Sequence, residues 1–175
     1  IESGDILHKS DVGGVKLNIV GAEAAQEAYC EILNNVKEKR PDAKINGILM
    51  VPMLKSGVEM IIGVNNDPQF GPMIMVGMGG VFVEVFKDVA LYPAPVNHGE
   101  ALEMLKSLKS FRLLNGYRGN PPCDIDAICD IIVNISQYAA ENKNVLKELD
   151  INPLFVYPKG QGVGVADALI VKYQE

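Results

Sequence analysis

The chain has 175 residues, 48% of them hydrophobic and 22% charged, which suits one domain or two small lobes with a buried core and excludes a disordered chain. A formal net charge of −6 without a Lys/Arg cluster argues against a nucleic-acid surface, yet leaves open a mononucleotide, which backbone N–H groups and a metal ion can hold. No apolar run approaches the ~20 residues of a membrane span, so no membrane partner is expected, and Cys30, Cys123 and Cys129 fall in segments that read as helical with no C-x-x-C pair, which fits a reduced, cytoplasmic setting.

Residues 1–20 pass from a polar loop through Gly13 and Gly14 into an alternating segment, Val15 to Val20, that reads as a strand. The glycine pair lets backbone approach a ligand, with His8, Lys9 and Ser10 beside it, although such pairs also serve as plain turns. Residues 22–39 place Ala25, Ala28, Tyr29, Ile32, Leu33 and Val36 on one helical stripe ended by Arg40 and Pro41. I-N-G-I-L-M-V-P-M and G-V-E-M-I-I-G-V then read as two strands of a hairpin joined near Ser56 and Gly57, with Glu59 the isolated charge.

After D-P-Q-F-G-P at 67–72, the glycines at 77, 79 and 80 permit a bent backbone before the strand V-F-V-E-V-F, and Glu84 and Asp88 are candidate polar contacts. G-x-G-G lacks both the G-x-G-x-x-G spacing and the Walker lysine, so dinucleotide-binding and P-loop folds are rejected. Asn97 and Glu100 form a capping box ahead of a helix carrying Ala101, Leu102, Met104, Leu105 and Leu108, with His98 in its exposed first turn. A second helix follows Pro122, with Ile125, Ile128, Ile131, Ile132 and Ile135 as its stripe; before it, Arg118 between two glycines could offer its fork to a phosphate, to a partner carboxylate or to a salt bridge within the loop.

The chain's last third reads as a β-hairpin, Leu149 to Tyr157 and Val163 to Lys172, turning through Pro158 to Gly162. Asp150 and Asn152 are two residues apart and share a face. A turn centred on Lys159 and Gly160 sets Asn152 opposite Asp167, with Cβ atoms ~5 Å apart. Such oxygen donors suit Mg²⁺, which completes its shell with phosphates and waters; the same residues would also serve a solvated surface hairpin.

E-L-D-I-N-P-L, with an Asp fifteen residues after its Asn, resembles the metal-binding hairpin of ATP-grasp enzymes, and H-K-S-D-V-G-G-V resembles the glycine loop of NDP-forming acyl-CoA synthetases, the family of ADP-forming acetate–CoA ligases related to succinyl-CoA synthetase. The matching motifs run from Ile1 to Ile170. The resemblance implies an α+β ATP-grasp fold over residues 1–175, in two lobes with the nucleotide in the cleft between them. It implies Mg²⁺ on Asp150, Asn152 and Asp167; a nucleotide against Lys9, Ser10, Gly13, Gly14, Val51, Pro52, Met53 and Glu59; and His8 as a second phosphate carrier. It departs from the family at Leu91 and Tyr92, near which relatives carry an arginine.

The implied activity is an ADP-forming acid–CoA ligase, of which this chain would hold MgATP or MgADP and exchange the terminal phosphoryl group with a phosphohistidine on a separate CoA-ligase domain or subunit. A regulatory ATP-grasp-like module of a fused protein acetyltransferase is the alternative. The chain opens on Ile1 rather than Met and reads as a fragment lacking the upstream part of the first lobe, whose lysine contacts the phosphates; weak nucleotide binding and self-association through an unpaired sheet edge are therefore expected.

Overall fold

The structure, a computed structural model, describes residues 1–6, 8–80 and 87–173. It divides into two compact units, residues 1–53 and 54–175. Helix α1 (Gly21–Lys39) forms the first unit's frame, and its stripe buries Ile32 and Val36 with Ile1, Ile6 and Val12, while Ala43, Ile45 and Ile48 pack at the edge. Glu23 near its start and Lys37 and Lys39 near its end complement the helix dipole.

Two expectations fail in this unit. Residues 15–20 form no strand, because alternation alone supplies no ladder: Asn18 adopts a left-handed φ of 58° that breaks the extended run, and Leu17 and Val20 stay exposed. Residues 45–53 likewise do not pair with the segment after Gly57; their sole described bridge joins Gly47 to Glu2.

Among the described residues, the second unit is a six-stranded antiparallel sheet with helices on one face. Its strands are β1 (Val58–Asp67), β2 (Gly71–Met78), β3 (Val89–Pro93), β4 (Leu146–Val156), β5 (Val163–Val165) and β6 (Ala168–Lys172). The order is β3-β2-β1-β4, and both β5 and β6 lie along the far edge of β4. The G-V-E-M-I-I-G-V segment is therefore the centre of the sheet, paired with β2 and β4. Its turn is D-P-Q-F: the Asp67 carboxylate accepts from the amides of Gln69 (2.7 Å) and Phe70 (3.0 Å), closing an Asx turn that starts the hairpin.

One face of the sheet buries Met60, Ile62, Val64, Ile74, Val76, Leu149, Ile151 and Leu154 against α2 (His98–Ser107), α3 (Phe111–Leu114) and α4 (Ile125–Glu141). Each side chain of this core is removed from water with roughly 1.5–3 kcal/mol of transfer free energy. The capping box of α2 forms as expected: the Asn97 side chain accepts from Glu100 N–H at 3.0 Å and Glu100 returns the bond at 2.8 Å. The α4 stripe buries Ile128, Cys129, Ile132, Ser136 and Ala139, with Ile125, Ile131 and Ile135 at its margin. Ser136, fully buried, accepts from Val96 N–H at 3.0 Å and donates to Val133 C=O at 2.8 Å, so the one polar group within the helix stripe is satisfied.

The three thiols are free, but only Cys30 and Cys129 lie on helices. Cys123 precedes α4 in extended backbone, bridged to Pro158, because Pro121 and Pro122 hold that segment out of the helical region. Burial pushes the Cys129 thiol up to about 11. No helix among the described residues is long and apolar enough to cross a membrane.

Candidate functional site

The 146–172 hairpin adopts the register expected of it. The Asn152 amide donates to the Asp167 carbonyl at 3.2 Å, Asp150 pairs with Leu169, and Tyr157 N–H donates to Gly162 C=O at 3.1 Å, so the turn does centre on Lys159 and Gly160. Asn152 and Asp167 thus face each other in the gap between the two ladders, joined by that main-chain bond, and Asp150 lies two residues before Asn152, opposite Leu169. The second arm is interrupted between β5 and β6, at Ala166 and Asp167.

β4 carries a bulge at this point. Met60 pairs with Leu154 and Ile62 with Ile151, which leaves Asn152 and Pro153 together opposite Ile61. Pro153 has no N–H to give a ladder, and a bulge is where a sheet tolerates that. The extra residue resets the alternation: Leu149 and Ile151 face the core before it, Leu154 and Val156 after it, and Asp150 and Asn152 stay on the opposite face. Glu59 pairs with Phe155 on this same opposite face, as Gly63 does with Asp150.

Gly63 was not among the expected site residues, yet it lies beside the carboxylate. A Cβ there would lie 3.9 Å from Asp150 Oδ1 and 3.3 Å from Met75 Cε. An isolated glycine inside a strand pattern is the signal that could have found it. On the neighbouring strand, the Asp167 carboxylate accepts from Ala168 N–H at 3.1 Å.

The donor set fits a hard divalent ion. Two carboxylates and a carboxamide oxygen, with Asp150 and Asn152 on one face of β4 and Asp167 beside Asn152 in the break between β5 and β6, would leave most of an octahedral shell to phosphate and water. No group of three His, Cys, Asp or Glu side chains placed to hold a metal occurs among the described residues.

Glu59 is exposed and stands at the end of the sheet, where Gly79 N–H donates to its carbonyl at 2.7 Å and a Cβ on Gly80 would meet its Oε2 at 3.3 Å. It borders a recess of about 520 Å³ lined by Gly57, Val58, Met78, Gly79, Gly80, Leu113, Tyr117, Asn120 and Pro121. The glycines at 79 and 80 thus allow the backbone to pass Glu59 closely, as the sequence suggested for a bend there. Glu84 and the V-F-V-E-V-F strand lie outside the described residues.

Asp88 is not free for a ligand. It is 8% exposed, and its carboxylate accepts from Lys109 N–H (2.9 Å), Ser110 N–H (2.8 Å) and the Ser110 hydroxyl. Burial raises its pKa, but the Ser110 hydroxyl and the two amides outweigh it and hold the carboxyl below the usual range. Asp124, missed in the sequence, caps α4 and also ties it to the hairpin turn: its carboxylate accepts from Gly162 N–H (2.8 Å) and Gly160 N–H (2.9 Å) as well as from Ala127 N–H (3.4 Å). The Gly162 bond is the largest cause of its lowered pKa.

In the first unit His8 is exposed in the loop that runs to Gly14. The two glycines have structural uses: Gly14 N–H donates to Lys9 C=O at 2.8 Å and Gly13 N–H to Ser10 C=O at 3.0 Å, while a Cβ on Gly13, at φ 68°, would meet Asn35 Nδ2 at 2.8 Å. Val51, Pro52 and Met53, expected along the adenine, form the exposed end of this unit.

Residues 1–171 match the ATP-grasp domain family. The chain is 49% identical to an ADP-forming acetate–CoA ligase I of Archaeoglobus fulgidus, over 93% of its own length but 24% of the relative, and 47% identical to the beta subunit of an ADP-forming acetate–CoA ligase II of Pyrococcus furiosus, over 97% of its length and 72% of the subunit. Among solved structures it resembles the acetyl-coenzyme A synthetase 1 of Candidatus Korarchaeum cryptofilum in complex with coenzyme A and Ca-AMPCP (TM-score 0.93, 46% identity, 98% of this chain and 73% of that one). A further structure of that protein, with coenzyme A and Mg-AMPPCP, has its phosphohistidine segment pointing towards the nucleotide binding site (TM-score 0.84, 43% identity, 99% of this chain and 74% of that one). The chain belongs to the ATP-grasp family, and its relatives there include the beta subunits of ADP-forming acetate–CoA ligases.

Proposed function

We propose that this chain is the nucleotide-binding part of an ADP-forming acyl-CoA synthetase of the acetate–CoA ligase type, holding MgATP or MgADP for phosphoryl exchange with a histidine. The observation that supports it most is the pairing of Asn152 with Asp167, with Asp150 one step along the same sheet face. Asp150, Asn152 and Asp167 would hold the metal, which when bound supplies positive charge to the phosphate oxygens. Glu59 would form a wall of the nucleotide site, and Lys9, Ser10, Gly13, Gly14, Val51, Pro52 and Met53 are the nucleotide contacts of the first unit.

Such a site works by positioning and charge neutralisation. The protein's own contribution would be to fix two carboxylates, Asp150 within the β4 ladder and Asp167 in the break between β5 and β6, where the Asn152 main-chain N–H bonds its carbonyl. The histidine that takes the phosphoryl group belongs, in this reading, to a CoA-ligase domain or subunit, and His8 is a second carrier whose exposed imidazole is accessible to it. In that step the γ-phosphoryl passes from ATP to an imidazole nitrogen, the nitrogen's proton leaves and ADP is released.

The test is isotope exchange between labelled ADP and ATP in the presence of Mg²⁺, with the intact chain and with His8→Ala. Relay through His8 predicts exchange that the substitution abolishes; near-normal exchange by the variant rules the relay out.

A further inference from the structure

The arm of the hairpin that carries Asp167 has little of its own to fix its register. β5 is three residues long, glycine stands at 160, 162 and 164, and no side chain of β5 or β6 is fully buried, although Val163 reaches the margin of the core. A register is set firmly where one face of a strand is buried and weakly where the strand is glycine-rich, and a slip of one residue turns every side chain to the other face. Such a slip would carry the Asp167 carboxylate away from Asn152. The first arm differs, because β4 buries Leu149, Ile151, Leu154 and Val156, which hold it in the core.

The turn between the arms is held against residues 122–124, the segment that leads into α4. Asp124 N–H donates to Tyr157 C=O at 2.9 Å, Lys159 N–H to Pro122 C=O at 3.0 Å, and Cys123 bridges Pro158. These contacts fix the end of the first arm and the start of the turn. The Asp124 carboxylate reaches past them: its Oδ2 accepts from Gly160 N–H at 2.9 Å and from Gly162 N–H at 2.8 Å. Gly162 opens the pairing of the second arm, since its carbonyl takes the Tyr157 N–H at 3.1 Å.

The other oxygen of the same carboxylate, Oδ1, caps α4 through Ala127 N–H at 3.4 Å, and α4 is seated by the buried side chains of Ile128, Cys129 and Ile132. One side chain therefore joins a helix anchored in the core to the first residue of the arm that bears Asp167. From Gly162 the ladder runs through Val163 with Val156, Gly164 with Phe155 and Val165 with Leu154. Ala166 N–H then donates to Pro153 C=O at 3.0 Å, and Asn152 N–H to Asp167 C=O at 3.2 Å. Each pair follows from the one before it, so the residue held at position 162 decides which residue arrives at Asn152.

We propose that Asp124 is a positioning residue: by holding Gly160 and Gly162 from the start of α4, it fixes the register that sets Asp167 beside Asn152. Its consequence for metal binding rests on the reading of Asp150, Asn152 and Asp167 as ligands, but the register itself is measurable without a metal.

Asp124→Ser separates the two duties of the side chain. Serine caps a helix as well as aspartate does, but its single oxygen, one bond nearer the backbone, cannot serve both Ala127 and the two glycines. Asp124→Ala removes both duties. Hydrogen exchange followed by NMR on the 175-residue chain in EDTA reads the register at the Asn152 and Ala166 amides, and calorimetric titration of ADP over a range of Mg²⁺ concentrations reads the metal. In Asp124→Ser the two amides are expected to exchange at least about tenfold faster. The Mg²⁺ concentration that half-saturates the tightening of ADP binding should rise at least about tenfold, as it does when a group that orients a metal ligand is lost. The ADP affinity in EDTA should stay as in the unsubstituted chain, and thermal unfolding should stay cooperative. Asp124→Ala should add a lower melting temperature without a further rise in the Mg²⁺ requirement. Unchanged exchange at both amides in Asp124→Ser, or faster exchange with an unchanged Mg²⁺ requirement, overturns the proposal; so does an effect confined to Asp124→Ala, which would assign it to the helix cap. Faster exchange in Asp124→Ser, with no effect of Mg²⁺ on ADP binding by the unsubstituted chain, upholds the register role and refutes the metal reading, so the two failures are told apart.

Discussion

Replacing Asp88 with Asn changes one buried group whose hydrogen bonds are all assigned. The carboxylate joins the start of β3 to the turn between α2 and α3, accepting from Lys109 N–H, Ser110 N–H and the Ser110 hydroxyl. A carboxamide keeps one acceptor oxygen and turns an NH₂ toward an amide donor, so at least one part-buried N–H loses its partner. Hydrogen bonds to a charged group are worth about 1.5–3 kcal/mol, and an unsatisfied buried donor costs ~1–3 kcal/mol, so a loss of about 2–3 kcal/mol at pH 7 is expected. The pH dependence identifies the cause. The folded-state pKa is lowered, so the contribution is fully present above the unfolded value of ~3.9 and is lost as pH falls through the folded pKa. Urea unfolding of both proteins between pH 7 and pH 2, followed by far-ultraviolet circular dichroism, should show a gap that is constant down to about pH 4 and closes below it. A gap under about 0.5 kcal/mol at pH 7, or one that widens as pH falls below about 4, would contradict this origin.

Gly164→Ala should destabilise the hairpin, since a Cβ there falls 2.6 Å from Tyr157 Oη and 3.3 Å from two ring carbons, and Tyr157→Leu should recover part of the loss in a double-mutant cycle of thermal melts. Asn97→Ala, which removes the α2 cap, should cost ~1 kcal/mol by denaturant titration. Gly63→Val should retain the fold but weaken Mg²⁺-dependent nucleotide binding, because branched methyl groups intrude on the space beside Asp150 Oδ1, whereas Gly63→Ala, at 3.9 Å, should be milder; calorimetry with MgADP reads both.

What the sequence showed well was local. Helices α1, α2 and α4 announce themselves by their apolar stripes, α2 by its capping box as well, and the 146–172 register follows from the position of Lys159 and Gly160, because a turn's centre dictates every pair behind it. Pairing between distant segments was not legible. The apolar run ending at Met53 and the one starting at Val58 look like a hairpin by proximity, yet β1 is claimed by Gly71–Met78 and Leu146–Val156, one of them about 80 residues on. Asp88 read as a ligand contact because its donors, Lys109 and Ser110, are main-chain and loop groups that no pattern marks. Asp124 escaped notice for the opposite reason: its capping position was visible, but its bonds to Gly160 and Gly162 exist only after the hairpin folds back. Of the site, the pairing of Asn152 with Asp167 was readable, and the bulge at Asn152–Pro153 that keeps Asp150 and Asn152 on the outer face was not.

In the function proposed above, Asp150, Asn152 and Asp167 hold the metal of a metal–nucleotide complex. Calorimetric titration of ADP into the chain, with and without Mg²⁺, compared with Asn152→Ala and Asp167→Asn tests it most directly. The account predicts that Mg²⁺ tightens ADP binding by at least about tenfold and that either substitution removes this increment without lowering the melting temperature. An increment that survives in both variants, or no effect of Mg²⁺ on the intact chain, would contradict it.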